Sequence, residues 1–360
     1  IPHKKRVEKH KIDYLRAIAD TMDDPYQAED GREIRGVQLE LANKCANLSG
    51  IPYWTFTDCC TDSLQIAVST LTNFGDSILV PAYGWRAFAN APVFMGRQVR
   101  FVDCDETGNM DMDKAIEGLE KEQWGQIKAV IVVHNFGTVA NTKKIWKTCK
   151  EKNIAIIEDA APSFYMGEPY EYVPGSLADI TCYSFDFTKG PGCLGSGGGL
   201  ATHDNDLYNI IYQIQAHGTA KDHSIVRVGT KSFLDMTSCA VLLKEIELYE
   251  QYNYRKRRRQ IASFYLDNLP YTNIAGDNYI WERYTMSVSR NEVDNVLKKL
   301  HDAGCLARIM FKQPLTQFEW VNPNEDKCPQ TEKFVNSIVH IPSHHYMEEW
   351  ELETIKKALN

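Results

Sequence analysis

The run Ile127-Lys128-Ala129-Val130-Ile131-Val132-Val133 is apolar at every position but one and mostly β-branched. A strand with one wet face alternates polar and apolar residues. A strand apolar throughout must be covered on both faces. This segment therefore calls for a sheet with a layer of helix on each side. Shorter runs of the same kind recur at residues 77–81, 99–102, 154–157 and 180–185. The third of these closes on Glu158-Asp159. Helical patterns lie between them, at 62–73, 113–120 and 142–152. Such alternation predicts an α/β fold, with a mostly parallel mixed sheet between helices.

Residues 236–268 read as one long helix or two in line, after which the segments become shorter, at 281–289 and 292–303. We expect a large domain over 1–249, opening with a helical N-terminal segment, and a smaller C-terminal α/β domain over 250–360. Lys and Arg number 40 and Asp and Glu 48, a net charge of −8. A surface this acidic argues against binding nucleic acid or anionic membrane as a whole. The basic run Arg255 to Arg259 reads as a solvated helix face, with a phosphate or nucleic-acid patch as the alternative. No stretch approaches the roughly 18 apolar residues of a membrane span. The opening Ile1-Pro2-His3-Lys4-Lys5 lacks the apolar core of a signal peptide. The ten cysteines are dispersed, with no C-x-x-C pair and no zinc-finger spacing. They read as thiols in a reducing, cytoplasmic setting, and no metal site is expected.

The chemistry concentrates in four segments. Residues 180–202 carry Gly190-x-Gly192-x-x-Gly195, but Ser196-Gly197-Gly198-Gly199 follows, a poor start for the helix that a dinucleotide fingerprint needs. Thr188-Lys189 precedes the glycines, the reverse of a phosphate-binding P-loop. Lys189 just after a strand, beside small residues, instead fits an amine that forms a Schiff base with a carbonyl cofactor. Ser184 lies five residues upstream. Asp159 ends a strand, where ligands of open α/β sheets bind, and a carboxylate there can keep a pyridine nitrogen protonated. The turn Thr57-Asp58-Cys59-Cys60-Thr61-Asp62-Ser63-Leu64 opens a helix whose N-terminus could hold a phosphate. Asp62 would repel that anion unless it caps the helix or points away. Trp85, in Pro81-Ala82-Tyr83-Gly84-Trp85, could stack on a flat ring.

In this order and spacing the segments resemble the DegT/DnrJ/StrS-type aminotransferases, fold-type I pyridoxal-phosphate enzymes acting mainly on nucleotide-linked keto sugars. The resemblance runs from about Gly31 to the end. It rests on Cys59 to Leu64 as phosphate turn, Val80-Pro81 with Trp85, Phe101-Val102-Asp103-Cys104-Asp105, Glu158 to Ala161, Ser184 to Lys189, and Leu194 to Gly199. It implies pyridoxal 5′-phosphate as cofactor, Lys189 and Asp159 as catalytic residues, and cofactor contacts from Trp85, Cys60, Thr61, Asp62 and Ser184. It further implies a nucleotide-linked keto sugar as acceptor, glutamate or glutamine as amino donor, and a homodimer.

The departures are specific. Pro162 replaces a Gln or His beside the cofactor, a contact then lost or passed to Ser163. Lys231 stands where the family's Asn reaches the partner subunit's phosphate, and could act there as a point charge. Cys60 replaces the turn's Gly. Arg308 and Lys312 lie in the segment that helps hold the sugar nucleotide, which here lacks its usual His. Two other readings compete. One is a sugar dehydratase of the same fold, in whose members a His replaces the lysine present here. The other is a non-catalytic binding or regulatory member. Cys59, Cys60 and Cys193 are expected near the cofactor.

Overall fold

The computed structural model describes residues 2–23, 36–164, 172–274, 282–318 and 326–360. Gly31 and Trp281, where two expected stretches begin, lie outside the described residues. The chain opens with helices α1 (Pro2–Met22) and α2 (Gly36–Ser49), then strand β1 (Tyr53–Thr57) and α3 (Cys60–Leu71). There follow β2 (Ser77–Pro81), α4 (Ala87–Phe94), β3 (Gln98–Val102), α5 (Met112–Glu120), β4 (Ile127–Val133), α6 (Thr142–Glu151) and β5 (Ala155–Asp159). Next come β6 (Ile180–Ser184), β7 (Gly198–Thr202), α7 (Asn205–Gln215), α8 (Met236–Gln251) and α9 (Tyr254–Asn268). The last part holds β8 (Tyr284–Ser287), α10 (Val293–Asp302), β9 (Arg308–Ile309), α11 (Pro329–Phe334), β10 (Ile338–Ile341) and α12 (Glu349–Leu359).

A seven-stranded sheet has the order β1-β7-β6-β5-β4-β2-β3. Strands β6, β5, β4, β2 and β3 are parallel. β7 runs antiparallel to both β6 and β1, so β1 points the same way as the parallel set. The C-terminal ends of six strands therefore share one edge with the N-terminal end of β7. That is the edge where an α/β sheet offers a ligand crevice.

The two-residue period of a strand explains the continuous apolar runs. In β4, Ala129, Ile131 and Val133 pack with α3, α4 and α7 on one face. Val130 and Val132 pack with α5 and α6 on the other. Towards β1 that second face is covered by α2 and α8 against Trp54, Phe56 and Tyr183. Ile157 and Cys182 lie on the α3 face, so Asp159 and Ser184, two residues on, fall on that face too.

The expected 236–268 helix is two helices. Asn253 between them has left-handed backbone (φ 46°), and its side chain accepts the Lys256 N–H to start α9. The basic run is not a solvated face throughout. Arg258 is 7% exposed and pairs with Glu282 at 3.2 Å, and Arg257 pairs with Glu349 at 2.8 Å. A three-stranded antiparallel sheet, β8-β10-β9, shares a second core with α9, α10 and α12. No described helix is long and apolar enough to cross a membrane.

Candidate active site

A cavity of about 570 Å³ opens at the ligand edge of the large sheet. Its lining comes from Cys59, Cys60 and Thr61 of the α3 turn, Trp85, Asp159, Pro162, Ser184, Lys189 and Arg308, all singled out in the sequence. Residues over 120 positions apart meet here because most lie at a helix start or at or just after a strand end on this edge, while Arg308 comes from β9, Arg308–Ile309, of a separate small sheet.

Helices α5, α6, α7 and α8 each begin with an Asp or Asn whose side chain accepts a first-turn N–H. Helix α3 does not: Cys59 stands at its cap in extended conformation, with no capping side-chain hydrogen bond. Its first-turn amides are left for something else. Asp62, expected among the phosphate contacts, is not part of the cavity lining. Its Oδ2 accepts the Ser232 hydroxyl at 2.7 Å, and Ser232 Oγ in turn accepts the Asp58 N–H at 3.1 Å. Burial pushes the Cys60 thiol well up, so it brings no negative charge to the turn. Backbone also approaches backbone closely here. A Cβ on Gly198 would overlap the Cys59 carbonyl, so the start of β7 can lie against the turn only as glycine. The glycine segment is thus a strand as well as a loop.

Asp159 is 4% exposed. Its Oδ1 accepts the Ala161 N–H at 3.0 Å, and Oδ2 has no hydrogen-bond partner among the described residues. Burial raises its pKa, against the pull of the Ala161 N–H, Lys189 and His134. Lys189 is half-buried, with its N–H on the Asp186 carbonyl at 2.8 Å. Burial lowers its pKa and the Arg283 guanidinium lowers it further, outweighing Glu282, Cys60 and Asp159. Lys189 also borders a second cavity, of about 600 Å³, between α1, α9 and the small sheet.

Below Asp159, Glu158 points to the opposite face and is fully buried. Burial alone would raise its carboxyl, but His134, Thr142 and Tyr172 hold it below the ordinary range. It fixes the turn after β5 by accepting from Thr142, Tyr172 (2.7 Å) and the Gly175 N–H.

Trp85 is 55% exposed, with the Arg86 guanidinium 4.7 Å from its ring centre. Ser163 does not take over from Pro162: it is fully buried, and its hydroxyl donates to the His134 carbonyl at 3.5 Å. Cys193 is fully buried with its thiol on the Ser238 carbonyl at 3.8 Å, away from the cavity lining. Lys312 is exposed and lines neither cavity. Lys231 is exposed on a segment bridged to Ala216 and lines neither cavity of its own chain. Sequence reading missed Asn135 and Arg283. Asn135 lines the cavity and donates to the Tyr83 and Gly108 carbonyls at 3.1 and 2.7 Å. Arg283 lines both cavities. Neither sits in a recognisable motif, so only the fold brings them in.

The residues present suit pyridoxal 5′-phosphate. They supply an uncapped helix N-terminus with Thr61 and Ser184 hydroxyls nearby, a buried carboxylate with a free oxygen, an exposed indole and a depressed lysine. Among the described residues no group of three or more His, Cys, Asp or Glu could hold a metal ion.

Comparison with known proteins agrees in family. The DegT/DnrJ/EryC1/StrS aminotransferase family matches residues 17–360, and the chain belongs to it. The UDP-2-acetamido-2-deoxy-3-oxo-D-glucuronate aminotransferase of Pseudomonas aeruginosa is 29% identical over 91% of this chain and 92% of its own. The UDP-N-acetyl-3-dehydro-α-D-glucosamine 3-aminotransferase of Acidithiobacillus ferrooxidans is 26% identical, over 91% and 88%. A crystal structure of a DegT/DnrJ/EryC1/StrS aminotransferase from Brucella abortus superposes with a TM-score of 0.84. It covers 98% of this chain and 96% of that one at 24% identity, a likeness of fold.

Proposed function

We propose that this member of the DegT/DnrJ/EryC1/StrS aminotransferase family is a pyridoxal-phosphate-dependent transaminase. It moves an amino group from an amino acid, glutamate or glutamine, to a keto sugar carried on a nucleotide. The observation that carries this reading is the pairing of a depressed lysine, Lys189, with a buried, half-satisfied carboxylate, Asp159, beneath the uncapped start of α3. When bound, the cofactor supplies an electron sink that makes the donor's Cα–H acidic. The chain's own residues do the rest. The α3 amides with Thr61 and Ser184 would hold the phosphate. Trp85 would cover one face of the ring, and Pro162 lies along the cavity wall. Asp159 Oδ2 would hold a proton at the ring nitrogen. Lys189 would anchor the cofactor, and its free Nζ would take the donor's Cα proton as base and deliver it to the cofactor carbon as acid. A lowered pKa serves this directly, because the base must be a free amine near neutral pH.

Both relatives described above are named for position 3 of a UDP-linked acetamido sugar. That supports the same acceptor class here, with Arg308 on the cavity wall as a cationic contact. Lys312 is a more distant candidate. All ten cysteines are free thiols, which supports a reducing, cytoplasmic setting. A homodimer is supported by the apolar side chains left exposed near Lys231, among them Ile225 at 81% and Val228 at 93%. In that dimer Lys231 serves the neighbouring phosphate site.

The test is mass spectrometry of products from a panel of nucleotide keto sugars, 3-keto UDP sugars included, incubated with cofactor and glutamate. An amino sugar with matching 2-oxoglutarate supports the reading. No amino product from any sugar overturns it.

A further inference from the structure

The segment that carries Lys189 is a closed excursion between β6 and β7. Backbone hydrogen bonds pin its two arms to each other. Phe185 N–H donates to Gly197, Cys193 N–H to Phe185, and Phe187 N–H to Gly195, at 2.7–2.8 Å. The stretch at its tip, Gly190 to Cys193, is held differently. On one side it meets the Tyr249 hydroxyl, which a Cβ on Gly190 would overlap. That hydroxyl is fixed by Arg258 at 3.4 Å and His345 at 3.2 Å.

On the other side lies the first turn of α1. Arg6, 3% exposed, donates from Nη1 to the Gly192 carbonyl at 3.2 Å and from Nη2 to the Cys193 carbonyl at 2.7 Å. Its charge is met by Glu245 of α8, 3.5 Å away and 1% exposed, whose other oxygen accepts the Tyr14 hydroxyl. His3 adds an edge contact to Phe187, with ring centres 5.2 Å apart. A guanidinium so placed spans two successive carbonyls as a fork, which a lysine ammonium cannot reproduce.

We infer that Arg6 is a positioning residue for catalysis: it clamps the Gly192 and Cys193 carbonyls and so fixes the direction in which Lys189 enters the cavity. This rests on the reading of Lys189 given above. The helix α1 is thereby part of the active-site apparatus, although Arg6 lies 186 residues from Gly192 in sequence. Glu245 neutralises the clamp and touches neither carbonyl.

Three full-length variants test this: Glu245→Gln, Arg6→Lys, and Arg6→Met combined with Glu245→Gln, which avoids an orphaned buried carboxylate. The first should lose less in kcat than Arg6→Lys does, since both guanidinium donors to the carbonyls remain. The other two should lose about tenfold or more in kcat with little change in KM for glutamate, because small misplacement of a reacting group is costly. Two further readouts separate positioning from folding. One is the pH midpoint of the cofactor absorbance band. The other is the pH dependence of Lys189 acetylation by acetic anhydride, read by peptide mass spectrometry without cofactor. Both midpoints should move further in Arg6→Lys than in Glu245→Gln. If wild type proves to bind no cofactor, the functional reading fails, and the acetylation profile still decides the clamp. Arg6→Lys with kcat within twofold and unmoved midpoints would overturn the inference. So would a Glu245→Gln variant that shifts them as far as Arg6→Lys does.

Discussion

The Asp62 carboxylate accepts the Ser232 hydroxyl at 2.7 Å, which turns it away from the helix N-terminus it sits in. An acidic residue in the first turn of a phosphate-binding helix is a conflict of charge on sequence alone. The structure resolves it with a serine from a segment 170 residues later. Ser232→Ala should release the carboxylate to cap the free amides of α3 in competition with phosphate. Losing one such hydrogen bond to a charged group, about 1.5 kcal/mol, should weaken pyridoxal-phosphate binding roughly tenfold. Adding Asp62→Asn should restore it. Titration of the cofactor absorbance measures both; equal affinity in Ser232→Ala and wild type would refute the role given to Ser232.

Lys189→Ala should abolish transamination, and turnover by that variant without added amine would sink the mechanism. The pH profile carries a finer prediction. Burial first, and Arg283 second, lower the Lys189 pKa. Free amine accumulates as pH rises through that lowered pKa, so the rising limb of single-turnover rate lies below the ordinary lysine range. Arg283→Met removes a repelling cation and should move that limb to higher pH. A limb that stays or moves down contradicts the assignment.

Asp159→Asn keeps the shape and removes the charge. The ring nitrogen then loses its proton-holding partner, and the rate of donor Cα–H cleavage should fall about a hundredfold, the scale of removing one preorganised electrostatic partner. Stopped-flow absorbance with glutamate reads this step alone. A fall of less than threefold would mean another group protonates the nitrogen.

Asp103 predicts acid behaviour of the fold. It accepts the Gln330 and Thr331 N–H groups at 3.0 and 2.7 Å, the Thr331 hydroxyl at 2.9 Å and the Lys114 ammonium at 3.0 Å. Burial would raise its pKa, but these four donors hold it low. A depressed folded pKa gives stability present above the unfolded value, about 3.9, and lost as pH falls through the folded one. Asp103→Asn should therefore cost about 2 kcal/mol at pH 7. The gap from wild type should narrow only below about pH 4. Urea unfolding across pH checks both, and a gap that does not change between pH 7 and pH 3 counts against the charge.

The strands were legible where burial on both faces makes a sequence monotonously apolar, as in β4, whose bounds match the run read from sequence. β1 and β7 were not. Tyr53–Thr57 is mixed in polarity, and Gly198–Thr202 opens with two glycines that the close approach of the α3 turn requires. Strand-end chemistry was legible for Asp159 and Lys189, because the ligand edge of an α/β sheet follows from connectivity. Arg6 and Arg283 were not, because long-range packing alone gives them their place. The basic run misled for a related reason: composition signals a charged face, but Glu282 and the Tyr249 hydroxyl give Arg258 a buried berth.

Lys5 of α1 pairs with Glu351 of α12 at 2.7 Å, and Arg6 beside it reaches α8 and the lysine loop. The catalytic amine is thus held from three helices far apart in sequence: Arg6 and Tyr14 both meet Glu245 of α8, while Lys5 meets Glu351 of α12. Loosening α1 from either helix would loosen the excursion bearing Lys189 with it.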